Sequence, residues 1–209
     1  MLPGLPTFQA IPSVAVPSPR MIVSSVVANP GNGFEPPNPD VPELDVDRGI
    51  DWAMRERFSR PQIQNFTEML NLIKPIHINP KDIRSPQFVA QGSFGTIYRA
   101  TCKGNPVAVK KILKEQNSGK SVPQRMREVF LELHVMHRLN HPYVLKLLGV
   151  SAFFPAANQM QEMYLGIVLE MCDGTLQKLI QDRGRQLSFD EKTRLAQQVL
   201  MAGAYLHSQ

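Results

Sequence analysis

Two glycines three residues apart, Gly92 and Gly95, followed by an alternating apolar run and then by Val107-Ala108-Val109-Lys110, constrain this chain's fold more than any other stretch. Backbone N–H groups cradle an anion only where nothing projects from the backbone toward it. Glycine supplies that close approach, together with the dihedrals of a tight turn. Such a pair is by itself an ordinary turn, and its surroundings add the rest. Phe88 and Val89 precede it, and Thr96 to Thr101 follows with strand-like alternation. Gly104-Asn105-Pro106 reads as a turn and Val107 to Leu113 as a further strand. The order is strand, glycine loop, strand, turn, strand. A dinucleotide fold needs a helix directly after its glycines, so that architecture is excluded. Gly119-Lys120-Ser121 looks like the end of a P-loop. Lys114, however, stands where its first glycine belongs, and Pro123 disfavours the helix that should follow.

Lys110 ends an apolar run with Lys111 beside it. Neighbours on a strand point to opposite faces, so one lysine can face the glycine loop while the other faces solvent. A lysine inside a cleft needs a counter-charge, because an unpaired buried ammonium is costly. The spacing predicts a helix from about Pro123 to Asn140, with Val129, Leu133, Met136 and Leu139 as its apolar stripe. Glu132 sits at the edge of that stripe, as a rim charge or as a partner for a buried cation, and Glu128 competes one turn earlier.

Taken together these residues resemble the amino-terminal lobe of a eukaryotic protein kinase. The resemblance runs from about Phe88 to Ser208. It is carried by Gly92-Ser93-Phe94-Gly95-Thr96-Ile97-Tyr98, Val107-Ala108-Val109-Lys110, Glu132 nine residues before His141-Pro142, and Leu147-Leu148-Gly149. It continues in Leu165 to Met171, Asp173-Gly174-Thr175-Leu176 and Ala204-Tyr205-Leu206-His207-Ser208. The nearest look is of the tyrosine-kinase-like, serine/threonine group. The resemblance implies an α+β fold: a protein-kinase-like small lobe, built from an antiparallel sheet plus one regulatory helix, followed by the hinge and the first two helices of the large lobe. It implies ATP as ligand. Gly92, Ser93, Phe94 and Gly95 would cover the phosphates, Lys110 would grip them, and Glu132 would hold Lys110 in place. Ile97 and Ala108 would roof the adenine, Leu169 would be the gatekeeper, and the backbones of Glu170 and Cys172 would meet the adenine edge. Met136 and Leu147 would form the upper half of the hydrophobic spine.

The chain departs from the family in two ways. Ala90 stands at the family's first glycine, which implies looser nucleotide binding rather than none. The chain also reaches Gln209 before any catalytic loop or Asp-Phe-Gly motif. The family's Mg2+ is expected, but its ligands are absent from these residues, and no catalytic or metal-ligating residue is assigned. Phosphoryl transfer is mostly positioning and charge neutralisation, so activity of the chain in isolation is not expected. Phe189, Leu195, Val199, Ala202 and Leu206 form a helical stripe with little to bury against. The expectation is a marginally soluble chain, which a sharp monodisperse monomer with cooperative unfolding would contradict.

The rest of the chain is less specific. Ten of the eighteen prolines fall in the first 42 residues, so 1–46 read as a disordered tail and 47–85 as a partly helical linker. Within the linker, Phe66, Met69, Leu70 and Ile73 form a short amphipathic helix ended by Pro75, which is expected to pack on the small lobe. Residues 86–209 would be the incomplete kinase domain: small lobe 86–169, hinge 170–173 and start of the large lobe 174–209. Residues 1–85 carry a net charge of −1 and residues 86–209 a net of +6, which sum to the +5 of the chain. The positive charges are scattered without aromatic interleaving, which argues against a nucleic-acid site. No signal peptide or membrane-length apolar run is visible, and Cys102 and Cys172 fit a reducing compartment. The expected setting is therefore cytoplasmic, with the nucleus as an option. His134 and His137 lack further ligands and read as helix-surface residues. Two functional classes remain. One is an ATP-dependent phosphotransferase acting on serine or threonine, with tyrosine as an option. The other is a non-catalytic, pseudokinase-like binding module acting through protein contacts. Protein substrate and partner are not indicated.

Overall fold

The computed structural model describes residues 44–92, 95–112, 120–160, 162–181 and 186–209. Two helices come first, α1 (Val46–Arg55) and α2 (Arg60–Ile73). Strands β1 (Ile83–Gly92), β2 (Gly95–Cys102) and β3 (Asn105–Lys111) follow, then α3 (Val122–Met136), β4 (Leu147–Phe153) and β5 (Tyr164–Glu170). Two more helices, α4 (Leu176–Gln181) and α5 (Phe189–His207), complete the order. The strands form one antiparallel sheet in the order β1-β2-β3-β5-β4. This is the expected α+β architecture, a five-stranded small lobe followed by helices.

Local chemistry sets the register. Cys102 pairs with Asn105, which leaves Lys103 and Gly104 as the turn between β2 and β3. Both have positive φ, 49° and 83°, the mirror-image turn whose twist suits a hairpin. The turn therefore lies one residue earlier than Gly104-Asn105-Pro106, and Pro106 pairs with Thr101 at the start of β3, where a strand tolerates proline. Strand β3 ends at Lys111, and Leu113 lies outside the described residues.

Alternation along the strands gives the sheet two apolar faces. Ile83, Ala100, Cys102, Val107, Val109 and Val168 form the cluster on one face. Val150, Ala152, Leu165, Ile167 and Leu169 lie on the other, in one cluster with Met126, Val129 and Leu133 of α3. Ser121 caps α3 reciprocally with Gln124. The helix stops at Met136, not near Asn140, and the Leu139 amide bonds to the Met136 carbonyl in the turn that follows.

The stretch read as a linker is firmly packed. α2 carries the expected Phe66, Met69, Leu70 and Ile73, all buried. α1 was not expected from the sequence. Asp45 caps it and Leu44 is already buried, so folded structure begins inside the stretch 1–46 read as a tail. Residues 1–43 lie outside the described residues. Trp52 gathers Phe58, Phe66 and Phe154 around it, with ring centroids 5.9, 5.7 and 5.3 Å away. After α2 the chain runs beside β4 in a short parallel bridge, His77 opposite Val150, and the Ile78 amide donates to the Val150 carbonyl at 2.9 Å. Gly149 permits this close approach, because a Cβ there would lie 2.6 Å from the Ile76 carbonyl oxygen.

α5 buries none of its residues, and Phe189, Val199, Leu200 and Met201 are exposed. Its far end is tied to the α3–β4 connection. The Asn140 amide donates to the Tyr205 hydroxyl at 2.9 Å, and the His141 ring stacks on Tyr205 at 4.8 Å. Among the described residues no helix is long and apolar enough to cross a membrane.

Candidate functional site

Antiparallel register brings the sequence-selected residues onto one face of the sheet. Ala90 is opposite Ile97, Ile97 opposite Lys110, and Lys110 opposite Ile167; one row along, Ala108 is opposite Leu169. Directly opposed residues share a face, so Ala90, Ile97, Ala108, Lys110 and Leu169 all look the same way. Lys111 takes the other face, opposite Gly166.

Helix α3 lies over that face. Its buried Met126, Val129 and Leu133 turn toward the core, which brings Glu132 to the rim of the contact. The Lys110 Nζ donates to both carboxylate oxygens of Glu132, at 2.6 and 2.7 Å. The lysine side chain is 19% exposed and the carboxylate 36%, so the pair is partly shielded from water and stronger than a fully exposed one. Glu128 bonds to Lys120 instead. Spacing alone left two carboxylates one turn apart, the family resemblance chose Glu132, and α3 sits on the sheet so that Glu132 meets Lys110.

At the mouth of the β1–β2 hairpin Gly92 pairs with Gly95. Gly95 has φ +145°, and a Cβ on it would lie 2.3 Å from the Lys111 carbonyl oxygen. Only glycine fits, for both backbone and steric reasons. Ser93 and Phe94 lie outside the described residues.

At the opposite end of the face, the Glu170 amide donates to the Lys146 carbonyl at 3.1 Å, and its carboxylate accepts from the Lys146 amide at 2.8 Å. These two bonds pin the end of β5 to the entry of β4. Lys146 was missed from the sequence, since the partners are 24 residues apart with no shared periodicity. Leu169 is buried, while Cys172 is exposed beyond the strand. Partial burial, then the carboxylates of Glu170 and Asp173, push the Cys172 thiol up from its ordinary range. Met136 and Leu147 meet in a groove of about 240 Å³ that Ile76 and Leu139 also line.

Among the described residues no group of three His, Cys, Asp or Glu side chains is placed to hold a metal. His134 lies beside Phe130, ring centroids 5.7 Å apart.

Comparison with known proteins gives the same reading. Residues 84–209 match the family model described as the protein kinase domain. The chain is 26% identical over 147 residues to the dual specificity protein kinase shkA of Dictyostelium discoideum, covering 70% of this chain and 26% of that one. It is 30% identical over 151 residues to the dual specificity protein kinase shkD of the same organism, covering 71% and 19%. It is 29% identical over 196 residues to the serine/threonine-protein kinase CTR1 of Arabidopsis thaliana, covering 88% and 22%. The chain thus spans about a quarter or less of the length of these curated relatives. With a match over more than half its residues, on a sheet and helix that join Lys110 to Glu132, the chain belongs to the protein kinase domain family.

Proposed function

We propose that this chain is the ATP-binding part of a protein kinase that transfers phosphate to serine or threonine hydroxyls of a protein. The observation that carries the reading is the Lys110–Glu132 pair beneath a hairpin mouth built on Gly92 and Gly95. A module with no nucleotide to hold has no need of a shielded cation beside a glycine turn. The residues present fit the adenine nucleotide. Lys110, steadied by Glu132, would neutralise phosphate charge, and the Gly92–Gly95 backbone would cover it. Ile97, Ala108 and Leu169 offer the adenine an apolar wall. The Glu170 amide is taken by Lys146, so the adenine edge would be met by the Glu170 carbonyl and the Cys172 backbone. The residues present do not fit Mg2+: no His-Arg-Asp or Asp-Phe-Gly motif occurs in the 209 residues.

The test is binding of a fluorescent ATP analogue to the 209-residue chain and to Lys110→Met. The expected result is saturable binding lost in the variant. Equal affinity of the two would overturn the assigned pocket. Phosphate transfer to a generic protein is not expected from this chain alone. Turnover that survives rigorous purification and disappears in Lys110→Met would overturn that expectation.

One observation favours a second reading, a non-catalytic module that acts through protein contacts: Val199, Leu200 and Met201 lie exposed on α5. Absence of nucleotide binding by the unmodified chain would favour this reading over the first.

A further inference from the structure

We propose that α1 and α2 form an internal brace for α3, with Met69 and Ile73 as positioning residues that keep Glu132 against Lys110. The proposal deepens the nucleotide reading above and rests on it.

The α2 backbone approaches α3 more closely than any strand of the sheet does. Met69, Leu70 and Ile73 are fully buried in the cluster that holds Met126, Val129 and Leu133 of α3. Leu70 turns toward α1, since a Cβ at Gly49 would lie 2.6 Å from its Cδ1. On a helix, residues 69 and 73 lie on the side of the buried stripe away from residue 70, which leaves Met69 and Ile73 to face α3. The chain then follows α3 to its end, where Ile76 shares a groove with Met136.

The brace is anchored elsewhere. Trp52, Phe58 and Phe66 close on Phe154, just past the end of β4. The Arg55 guanidinium donates to the Pro155 carbonyl. α3 is therefore held between the sheet and a helix fastened to the sheet's far edge. Residues 44–83 lie outside the stretch that matches the family model, so this brace is an addition to the matched domain. A helix that packs on α2 as well as on the sheet carries the carboxylate that positions Lys110. Loosening α2 lets the pair open and weakens nucleotide binding.

The test compares Ile73→Ala with Ile83→Ala in the 209-residue chain. Ile83→Ala removes the same atoms from the cluster on the opposite face of the sheet. Amide hydrogen exchange of residues 122–136 is read by mass spectrometry, and affinity is read with the fluorescent ATP analogue. At equal loss of Tm, Ile73→Ala should raise exchange in α3 at least tenfold and weaken binding at least fivefold, while Ile83→Ala does neither. The weakening should disappear in a Glu132→Gln background, because it acts through that carboxylate. Equal effects of the two alanine variants, or a weakening that persists in full with Glu132→Gln, would overturn the brace. Should Ile73→Ala fail to fold, Gly149→Ala takes its place, since its Cβ would displace the chain at Ile76; the same readouts decide. An unmodified chain that binds no nucleotide overturns the functional reading, and α3 exchange then decides the brace by itself.

Discussion

Lys110 shares its ammonium between both oxygens of Glu132, at 2.6 and 2.7 Å, across 22 residues of sequence. Both oxygens are engaged by one cation, so the carboxylate's rotation is fixed as well as its position. Glu132→Gln keeps the shape and removes the negative charge that faces a lysine 19% exposed. The expected cost is about 1–2 kcal/mol of stability by urea unfolding, together with weaker nucleotide binding. Glu128→Gln, which loses the bond to Lys120, should stay within about 0.5 kcal/mol and leave affinity alone. Equal behaviour of the two variants would contradict the assignment.

Gly95→Ala should damage the hairpin mouth. The backbone sits at φ +145° and the new methyl would meet the Lys111 carbonyl. Strain of this kind costs about 1–3 kcal/mol. Thermal unfolding checks the loss. An unchanged Tm would mean that this mouth relaxes freely.

The parts of the site legible in the sequence are those whose constraint is local. Gly95 announces a backbone that only glycine adopts. Val107-Ala108-Val109-Lys110 announces a strand with a charge at its end. From spacing alone Glu132 was one of two carboxylates, because Glu128 lies on a neighbouring turn; the family resemblance singled it out, and the position of α3 on the sheet sets it against Lys110. α1 was not legible at all. Gly49 interrupts its pattern and lowers helix propensity, and its reason for being there, the close approach of Leu70, is a tertiary contact. The end of α3 was misplaced because Leu139 continues the helical spacing past Met136, and no glycine or proline stands there to stop it. In Phe66, Met69, Leu70 and Ile73 the packing helix was visible, but not the helix it would pack on.

Trp52 is the chain's single tryptophan and is 2% exposed. Its emission therefore reports on the aromatic cluster alone. Phe66→Ala removes a ring 5.7 Å from it and should cost about 3–5 kcal/mol, with a red shift of Trp52 emission already in the native state. A native spectrum identical to that of the unmodified chain would show that the cluster closes without Phe66.

Cys172 is exposed yet should alkylate slowly. Partial burial and the carboxylates of Glu170 and Asp173 raise its pKa, so at a given pH it holds less thiolate than an ordinary cysteine, and the thiolate is the nucleophile. Its rate with iodoacetamide should keep rising with pH beyond the range where a free thiol levels off. In Glu170→Gln the profile should shift toward lower pH. A profile that matches free cysteine would contradict the account. Bound nucleotide should slow the reaction further.

Residue 84, where this domain becomes recognisable to comparison, is not where it becomes a folded object. The forty residues before it supply Trp52, Phe66 and Met69 to the interior that α3 completes. A chain cut at the recognisable boundary would strip the α2 side of the cover from Met126, Val129 and Leu133, on the helix that carries Glu132. An inherited change at Phe66 or Met69, filed as a linker variant by its position, would act as a change in the domain's interior.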